Sequence, residues 1–337
     1  MDTSKGISVV ICCYNSFRVL PAAIQHLALQ EVPPNIPWEI VIVDNASTDD
    51  TVALVAAEWA KYTVSGVGFE IVYQPKPGLN YAREMGLKTA RFEYIIFCDD
   101  DNWLCNTYIS TAFNLMEDNP AIGVMGGRGF AVSDTAIPAW FEKVQSHYAV
   151  GRQAEFSGDI TNRRFVWGAG MVLRKNVLTT VFESGIKSYL SDRKGGSLNS
   201  GGDSEISMWF LLWGYRLWYN ENLVYKHFIP ADRLTPEYYT RLKEGLESSV
   251  LVTEYYNYIL QYKNIKHKFK SSLKNAFYTF LQIIYYRVRI NDKGYQKLLR
   301  NLFLLHCYNF IPSGSLLATM AKEVLPKSGY PYPSNKF

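Results

Sequence analysis

Four apolar runs in the first hundred residues alternate with segments of helical periodicity, and each run ends in polar residues. The runs are rich in Val and Ile, which is typical of strands buried on both faces of a sheet. Helical segments of roughly 10–15 residues between such strands build βαβ units. The sequence therefore predicts an α/β fold with a mostly parallel sheet flanked by helices. We expect strands at residues 7–13, 38–43, 69–73 and 94–98, with short additions near 122–125 and 170–173.

The 337 residues are enough for a large hydrophobic core. After Pro230 the pattern becomes helical almost to the end of the chain. We predict an α/β domain at 1–231, divided into halves at 1–105 and 106–231. A helical region at 232–337 would follow.

Charge is unevenly distributed along the chain, although the net charge is only +4. Residues 263–300 hold ten Lys or Arg and one acid, Asp292, interleaved with Phe and Tyr. Such a segment is typical of a helix that lies on an anionic membrane surface. The alternative is a helical bundle with a solvated basic face. Nucleic acid is not an expected partner, because the rest of the chain is acidic and carries no nucleic-acid motif.

The N-terminus lacks the charged-then-apolar order of a signal peptide, and no apolar run reaches the roughly 18 residues of a membrane span. The five cysteines have neither a disulfide-framework nor a zinc-ligand spacing. These features predict a cytoplasmic protein, peripheral on the inner face of the membrane if the basic segment binds lipid.

The run at 94–98 leads directly into Asp99, Asp100 and Asp101. Asp is depleted in buried strands, so the triplet is expected where the strand leaves the sheet, which is where open α/β sheets bind ligands. Three adjacent like charges call for a cation such as Mg²⁺ or Mn²⁺, whose coordination shell often includes substrate phosphates. The alternative is the acidic start of a helix near Asn106.

Polar residues close the neighbouring strands too, at 14–15, 44–45 and 77–78. Because the carboxyl ends of parallel strands meet at one edge, we expect a nucleotide pocket there. The first strand is not followed by GxGxxG, and no GxxxxGK[ST] occurs. Both absences argue against a dinucleotide-binding fold and a P-loop enzyme.

Four motifs occur in a specific order: Cys-Tyr-Asn after the first strand, Val-Ile-Val-Asp-Asn-Ala-Ser-Thr-Asp, Gly-Leu-Asn-Tyr-Ala-Arg-Glu-Met-Gly-Leu and Phe-Cys-Asp-Asp-Asp-Asn. Together they resemble a family 2 glycosyltransferase of bacterial type with the GT-A fold, over about residues 7–230. The resemblance implies that 1–231 is the glycosyltransferase domain, with a nucleotide-binding half at 1–105 and an acceptor and catalytic half at 106–231. It also implies a metal-dependent, inverting transfer from a nucleotide-diphosphate sugar, preferably a UDP-sugar. The acceptor would be a glycan or a lipid-linked glycan in the synthesis of a cell-surface polysaccharide or glycoconjugate.

By this resemblance Asp44 bonds the nucleotide base, Tyr14 helps to form the base pocket and Arg83 lies near the diphosphate. A guanidinium matches phosphate geometry. Asp44 could instead close a turn, and Arg83 could lie on a solvated helix face. The expected nucleotide-binding residues are Tyr14, Asn15, Asp44, Asn80, Arg83, Asp99 and Asp100.

The family assigns metal and ribose contacts to a DxD pair, which Asp99 and Asp101 match. Asp101 is expected to ligate Mn²⁺ or Mg²⁺ directly. His227 could complete the shell, although a lone His after an apolar strand is often structural.

Asp203 aligns with the catalytic base of the family, and Glu205 is the alternative. The family usually has a Glu before this Asp, where this chain has Gly202. An inverting transfer needs a carboxylate within hydrogen-bond reach of the acceptor hydroxyl. Asp203 could also cap the helix that follows.

The segment Trp167, Gly168, Ala169 and Gly170 resembles a family loop beside the donor sugar and the acceptor. Gly lets backbone approach a ligand closely, and Trp offers a platform for a sugar face. Ordinary packing at a strand entry is the alternative. Trp103, next to the Asp triplet, is a further expected sugar contact.

Two rival functions stay open on the sequence. One is a nucleotidyltransferase, although the Gly-rich basic signature after the first strand is missing. The other is a catalytically silent subunit that binds a sugar nucleotide or a glycan, which Gly202 in place of Glu keeps in view.

Overall fold

The computed structural model describes residues 4–62, 64–190, 198, 200–261, 277–281, 283–284, 303, 320 and 323. These residues contain one nine-stranded sheet and the seven helices that accompany it. The strands are β1 (Ser4–Cys13), β2 (Trp38–Asp44), β3 (Gly68–Tyr73), β4 (Phe92–Asp99), β5 (Asn102–Leu104), β6 (Ile122–Val132), β7 (Gly158–Asp159), β8 (Met171–Arg174) and β9 (Arg216–Phe228). The helices are α1 (Leu20–Ala28), α2 (Thr51–Trp59), α3 (Leu79–Thr89), α4 (Tyr108–Asp118), α5 (Lys175–Glu183), α6 (Gly202–Leu212) and α7 (Pro236–Gln261).

The strand order is β3-β2-β1-β4-β8-β6-β9-β5, and β7 pairs with β9 outside this path. The first four strands in this order run parallel, as predicted. Strand β8 is antiparallel to both β4 and β6, while β6 and β9 are again parallel to each other. The predicted α/β sheet with flanking helices is therefore confirmed, but the sheet is mixed: β8 at its centre and β5 and β7 beside β9 pair antiparallel with their neighbours.

Strand β9 is the longest strand of the sheet, and the sequence pattern did not reveal it. Its middle is the polar stretch 220–222, which interrupts the apolar alternation of a strand. The pairing of β9 with β6 shifts register between Gly126 and Arg128, opposite this stretch. This irregularity explains why hydrophobic periodicity does not reveal the strand that carries His227.

Each face of the sheet is covered by its own group of helices. Alternate side chains of β1 belong to separate cores: Val10 packs with residues of α3, α5 and α6, whereas Val9 and Ile11 pack with residues of α1 and α4. All seven residues of β2 are buried. This two-sided burial accounts for the continuous apolar runs.

Helix α3 lies directly on the sheet at Gly86. A Cβ added to Gly86 would lie 2.3 Å from Val10 Cγ1 and 3.2 Å from Val43 Cγ2. Both contacts are β-branched side chains on buried strands, which have little rotamer freedom. The absence of a side chain at Gly86 thus sets the distance between α3, which carries Arg83, and the strands that end at the site.

No helix in the described part of the chain combines the length and hydropathy that a membrane-spanning segment requires. Most of the basic segment 263–300 lies outside the described residues.

Gly86→Ala tests the close packing of α3. Helix propensity alone would favour Ala by about 1 kcal/mol. The close contact with Val10 should outweigh this gain, so that the substitution lowers the free energy of unfolding by about 1–3 kcal/mol. Urea denaturation followed by tryptophan fluorescence measures the difference. Lys88→Ala, on the exposed side of the same helix, is the control and should stay within about 0.5 kcal/mol of the native chain. A Gly86→Ala protein more stable than the native chain would show that α3 packs less closely.

Candidate functional site

The carboxyl ends of β1, β2 and β4 and the start of α3 enclose a cavity of about 330 Å³, here called the strand-end cavity. Its wall combines backbone, aromatic and carboxylate groups, as expected for a ligand pocket at this edge of an α/β sheet. Among the residues that line it are Tyr14, Asn45, Gly78, Asp99, Asp100, Asp101, Arg233 and Tyr238.

The Asp triplet turns away from the sheet at the floor of this cavity, and the protein compensates part of its charge. Asp101 is 6% exposed, and its Oδ2 lies 2.9 Å from Arg233 Nη1 and 3.4 Å from His227 Nε2. The Oγ of Ser16 donates a hydrogen bond to Asp100. Burial, together with the neighbouring Asp101 carboxylate, raises the pKa of Asp100 to about 7. The site thus concentrates negative charge and holds two cationic side chains against it.

His227 is held by the backbone on its other side. Its Nδ1 lies 2.7 Å from the carbonyl oxygen of Tyr148. Because a carbonyl oxygen only accepts, Nδ1 carries the hydrogen, which directs Nε2 towards Asp101. Burial lowers the pKa of His227, but the charge and hydrogen bond of Asp101 together with the charge of Asp99 raise it, and the net direction is upward.

Asp99, Asp101 and His227 are the side chains of the site that could hold a divalent cation. Two ligands at right angles around Mg²⁺ or Mn²⁺ are about 3 Å apart when each bond is about 2.1 Å, close to the separation of Asp101 Oδ2 and His227 Nε2. Asp99 lines the same cavity. Within the described residues no three His, Cys, Asp or Glu side chains form a metal cluster. A cation here would therefore need oxygen ligands from the substrate.

The other predicted nucleotide-binding residues are not all in this cavity. Tyr14 lines it and is half exposed. Asp44 Oδ1 accepts a hydrogen bond from the backbone N–H of Ser47 (3.1 Å), and Asn15 Oδ1 accepts one from Thr48 (2.8 Å). These contacts fix the loops after β1 and β2. Asn80 donates a hydrogen bond to Ser188 Oγ (3.2 Å) and lines a separate cavity between α3, α5 and α6.

A second cavity of about 500 Å³, here called the adjoining cavity, shares Leu79, Asp99, Arg233 and Tyr238 with the first. It is lined further by Arg83, Arg163, Trp167, Gly168, Asp203 and His227. The two cavities therefore adjoin each other, and Asp99 lies in the wall of both.

Asp203 faces the adjoining cavity from the first turn of α6. Its Oδ2 accepts a hydrogen bond from the backbone N–H of Gly168 (3.0 Å), and its Oδ1 accepts one from Ser204 (2.7 Å). A Cβ added to Gly168 would lie 3.3 Å from Asp203 Cβ and 3.1 Å from Arg83 Nη2. Gly168 therefore lets the carboxylate and the guanidinium approach the same stretch of backbone.

Glu205 is instead enclosed by protein and is only 1% exposed. Its carboxylate accepts hydrogen bonds from Tyr189 N (2.7 Å), Tyr256 Oη (2.7 Å), Leu190 N (3.4 Å) and the Oγ of Ser188. Burial raises its pKa, and these hydrogen bonds oppose the rise. Glu205 joins the 188–190 segment to α6 and α7, so we assign it an anchoring role and keep Asp203 as the candidate base.

The predicted sugar contacts divide between cavity and core. Trp167 and Ala169 line the adjoining cavity. The carbonyl of Gly170 accepts a hydrogen bond from Tyr108 Oη (2.6 Å), which packs this glycine against α4. Trp103 stacks between His26 and Phe228, with ring centroids 5.6 and 5.7 Å away, and lines neither described cavity. We therefore expect Trp103 to contribute packing.

Sequence reasoning missed two arginines of the site, Arg163 and Arg233. Arg233 ends the short helix Ala231–Arg233, and its partner Asp101 is 132 positions away in the chain. Arg163 follows a segment without clear periodicity. The sequence did indicate that the Asp triplet needs positive charge beside it. It did not indicate which Lys, Arg or His residues supply that charge.

The chain matches the glycosyl transferase family 2 over residues 8–182. It is 30% identical over 108 residues to the cholesterol galactosyltransferase of Borreliella burgdorferi, covering 32% of this chain and 28% of that protein. It is 29% identical over 120 residues to the poly(ribitol-phosphate) beta-glucosyltransferase of Bacillus spizizenii, covering 36% and 18%. The matched segment thus spans less than a third of either relative's length.

Among solved structures, the chain is similar to residues 1–349 of Staphylococcus aureus TarS in complex with UDP-GlcNAc. The TM-score is 0.50 at 15% identity, covering 95% of this chain and 82% of that one. This similarity shows the fold alone, which is the GT-A type that the sequence predicted.

Glu205→Gln and Asp203→Asn should separate anchoring from chemistry. Glu205→Gln places an amide N–H₂ against hydrogen-bond donors in a buried site, and should lower the free energy of unfolding by about 2 kcal/mol or more. Asp203→Asn keeps an oxygen for one of the two backbone N–H groups, at a position that faces a cavity, and should cost about 1 kcal/mol or less. Urea denaturation measures both. Equal stability of the two variants would remove the anchoring role from Glu205.

Proposed function

Since the chain belongs to glycosyl transferase family 2 and is a glycosyltransferase, we propose that it transfers a sugar from a nucleotide diphosphate to a glycan acceptor. The single observation that carries this proposal is the wall shared by the two cavities. Asp99 lines both, the Asp triplet lies on one side, and Asp203 lies on the other. A donor whose diphosphate lies near Asp99 would therefore present its sugar towards Asp203.

The chemistry is an inverting displacement. Asp203 takes the proton of an acceptor hydroxyl, and that oxygen forms a bond to the anomeric carbon of the donor. The bond between this carbon and the phosphate oxygen breaks from the opposite face, and its electron pair leaves with the nucleoside diphosphate. The hydrogen bonds from Gly168 and Ser204 orient the carboxylate for this proton transfer.

Arg83 and Arg233 stabilise the leaving group in this proposal. Both guanidinium groups line the adjoining cavity and can match phosphate oxygens bidentately. Asp99, Asp101 and His227 would hold Mn²⁺ or Mg²⁺. When bound, such a cation neutralises negative charge on the diphosphate.

A UDP-sugar is the donor we favour. The structural relative TarS is described in complex with UDP-GlcNAc, which supports a uridine nucleotide in a fold of this kind. The acceptor we favour is a glycan or lipid-linked glycan of the cell surface. The names of the two relatives, which include a sterol and a polyol-phosphate polymer as acceptors, support a cell-envelope substrate.

The rival functions predict different results in one assay. A silent binding subunit would bind nucleotide without hydrolysing or transferring the donor. A nucleotidyltransferase would consume a nucleoside triphosphate and a sugar phosphate. The position of Asp203 beside the shared wall favours transfer over both.

Thermal unfolding with nucleotides tests the donor site. UDP or a UDP-sugar with Mn²⁺ or Mg²⁺ should raise the melting temperature by mass action, and EDTA should reduce the shift. At a ligand concentration of 100 Kd the expected stabilisation is about 2.7 kcal/mol. The absence of a shift with every nucleotide tested would contradict the proposal.

Asp203→Asn tests the base. The rate of UDP release in the presence of acceptor should fall about 10²–10⁴-fold, because the hydroxyl proton has no carboxylate to accept it. The shift in melting temperature caused by UDP should persist. Asp134→Asn, on an exposed loop outside both cavities, should transfer at the native rate. Near-native transfer by Asp203→Asn would exclude it as the base.

We propose an anionic membrane as a further partner. The described helical residues at 277–281 and 283–284 include five apolar side chains that are 44–61% exposed: Phe277, Tyr278, Phe280, Leu281 and Ile284. Basic residues surround them in the sequence. Apolar insertion together with attraction to acidic lipids is the usual basis of such binding.

Changing Lys266, Lys268, Lys270 and Lys274 to Gln should release the protein from vesicles that contain phosphatidylglycerol, since each Lys near an anionic surface contributes about 1 kcal/mol. Vesicle co-sedimentation measures the effect, and stabilisation by UDP should be unchanged. The matched control changes Lys61, Lys88, Lys143 and Lys226, which are exposed on the catalytic domain, to Gln. Equal release by the two sets would contradict a specific role for the segment.

A further inference from the structure

Arg163 places a guanidinium in the adjoining cavity without a carboxylate partner. Its Nη1 donates a hydrogen bond to the carbonyl oxygen of Gln153 (2.9 Å), whereas its buried Nε has no hydrogen-bond partner. Its Cζ lies 4.3 Å from the ring centroid of Phe165 and 5.0 Å from that of Trp167. Within the described residues, no carboxylate forms a salt bridge with Arg163.

Two other buried or partly buried arginines differ from Arg163, because each pairs with a carboxylate. Arg233 pairs with Asp101, and Arg174 pairs with Glu93. A partly buried guanidinium without such a partner loses hydration that nothing fully replaces. Two aromatic faces return part of that energy through cation–π attraction. Burial lowers the pKa of Arg163 from its ordinary value, and the attraction of Asp203 opposes the shift.

The position of Arg163 along the cavity indicates which substrate it meets. It does not line the strand-end cavity, where the nucleotide is proposed to bind. Its ring neighbour Trp167 directly precedes Gly168, whose N–H bonds Asp203. Arg163, Trp167 and Asp203 thus line one cavity, whereas Asp99 lines both cavities. A group that touches Arg163 therefore shares the adjoining cavity with the proposed base and lies outside the strand-end cavity, as an acceptor would.

The surface next to this cavity carries two arginines and one glutamate, Glu142. Arg128 and Arg152 line a neighbouring cavity of about 550 Å³, and the buried Nε of Arg128 likewise lacks a hydrogen-bond partner. The side chain of Gln153 connects the two regions, since it accepts from Trp167 N (3.0 Å) and donates to the carbonyl of Gly127 (3.0 Å). Arg152 pairs with Glu221 (3.4 Å), whereas Arg128 forms no salt bridge with a carboxylate among the described residues. An acceptor with more than one negative charge would therefore find Arg128 as a further cation on this face.

We propose that Arg163 binds an anionic group of the acceptor, a phosphodiester or a carboxylate, next to the hydroxyl that attacks the donor sugar. This inference rests on the proposed function and specifies its substrate class. Guanidinium recognises both anions through the same two-pronged hydrogen bonding, with the aromatic rings holding its plane. The acceptor is accordingly an acidic glycan or a polyol-phosphate chain.

Binding of three fluorescent probes of equal length tests the proposal: an oligo(glycerol phosphate), an oligogalacturonate and the neutral cellotetraose. Fluorescence anisotropy is measured with the full chain in the presence of UDP. At least one anionic probe should bind about tenfold or more tightly than the neutral one, because charge-assisted hydrogen bonds add to affinity. Preference between the two anionic probes distinguishes phosphate from carboxylate.

Arg163→Gln should abolish the preference for the anionic probe, and Arg163→Lys should recover part of it, since an ammonium keeps the charge but not the planar fork. Arg164→Gln removes the same charge one residue away, outside the residues that line the cavity, and should keep the preference. Equal affinity for the three probes, or a preference that survives in Arg163→Gln, would overturn the proposal.

Thermal unfolding of the same proteins with UDP reports on the donor site separately. UDP should stabilise the native chain and Arg163→Gln to the same extent, because Arg163 lies outside the strand-end cavity. Loss of this stabilisation in the native chain would count against the proposed function. Intact stabilisation without any anion preference would count against Arg163 alone.

Discussion

The concentration of negative charge at the end of β4 is the constraint on which the site depends. Three successive carboxylates cannot lie against one another in a buried edge without cations. Arg233 and His227 both lie beside Asp101. His227 is near the end of the long strand β9, and Arg233 lies in the short helix that follows it. The pairing of β5 with β9 sets Asn102 opposite His227, so the backbone itself fixes the imidazole beside the triplet. The same electrostatic need makes the site suitable for a cation and a diphosphate.

The topology of the sheet brings these carboxylates close to the other side chains of the site. Parallel pairing of β1, β2 and β4 brings their carboxyl ends to one edge, and α3 packs closely enough at Gly86 to direct Arg83 to the same place. On the other side, α6 presents Asp203 to the adjoining cavity. Glu205, two residues later, accepts hydrogen bonds from the 188–190 segment and from Tyr256. The two carboxylates of one helix turn thus have separate tasks, one exposed to the cavity and one structural.

Two arginines of the site differ in how their positive charge is compensated. Arg233 is paired with a carboxylate of the protein, whereas Arg163 stacks on aromatic rings and keeps an unpartnered Nε. A paired guanidinium contributes little net charge to the cavity, and an unpaired one contributes nearly its full charge. The surroundings of Arg163 in the adjoining cavity are therefore electrostatically distinct from the strand-end cavity, where carboxylates dominate.

The sequence by itself determined the α/β sheet, the four parallel strands and the family, because those follow from local periodicity and from short motifs at strand ends. It also located Asp99, Asp101 and Asp203, which lie beside strong local patterns. It could not separate Asp203 from Glu205, since both fit the first turn of a helix and only tertiary hydrogen bonds distinguish them. Nor could it place Trp103 in a stack with His26 and Phe228, or bring Arg233 to Asp101. Those contacts join residues distant in the chain, and their energies depend on burial and geometry that a linear pattern does not contain.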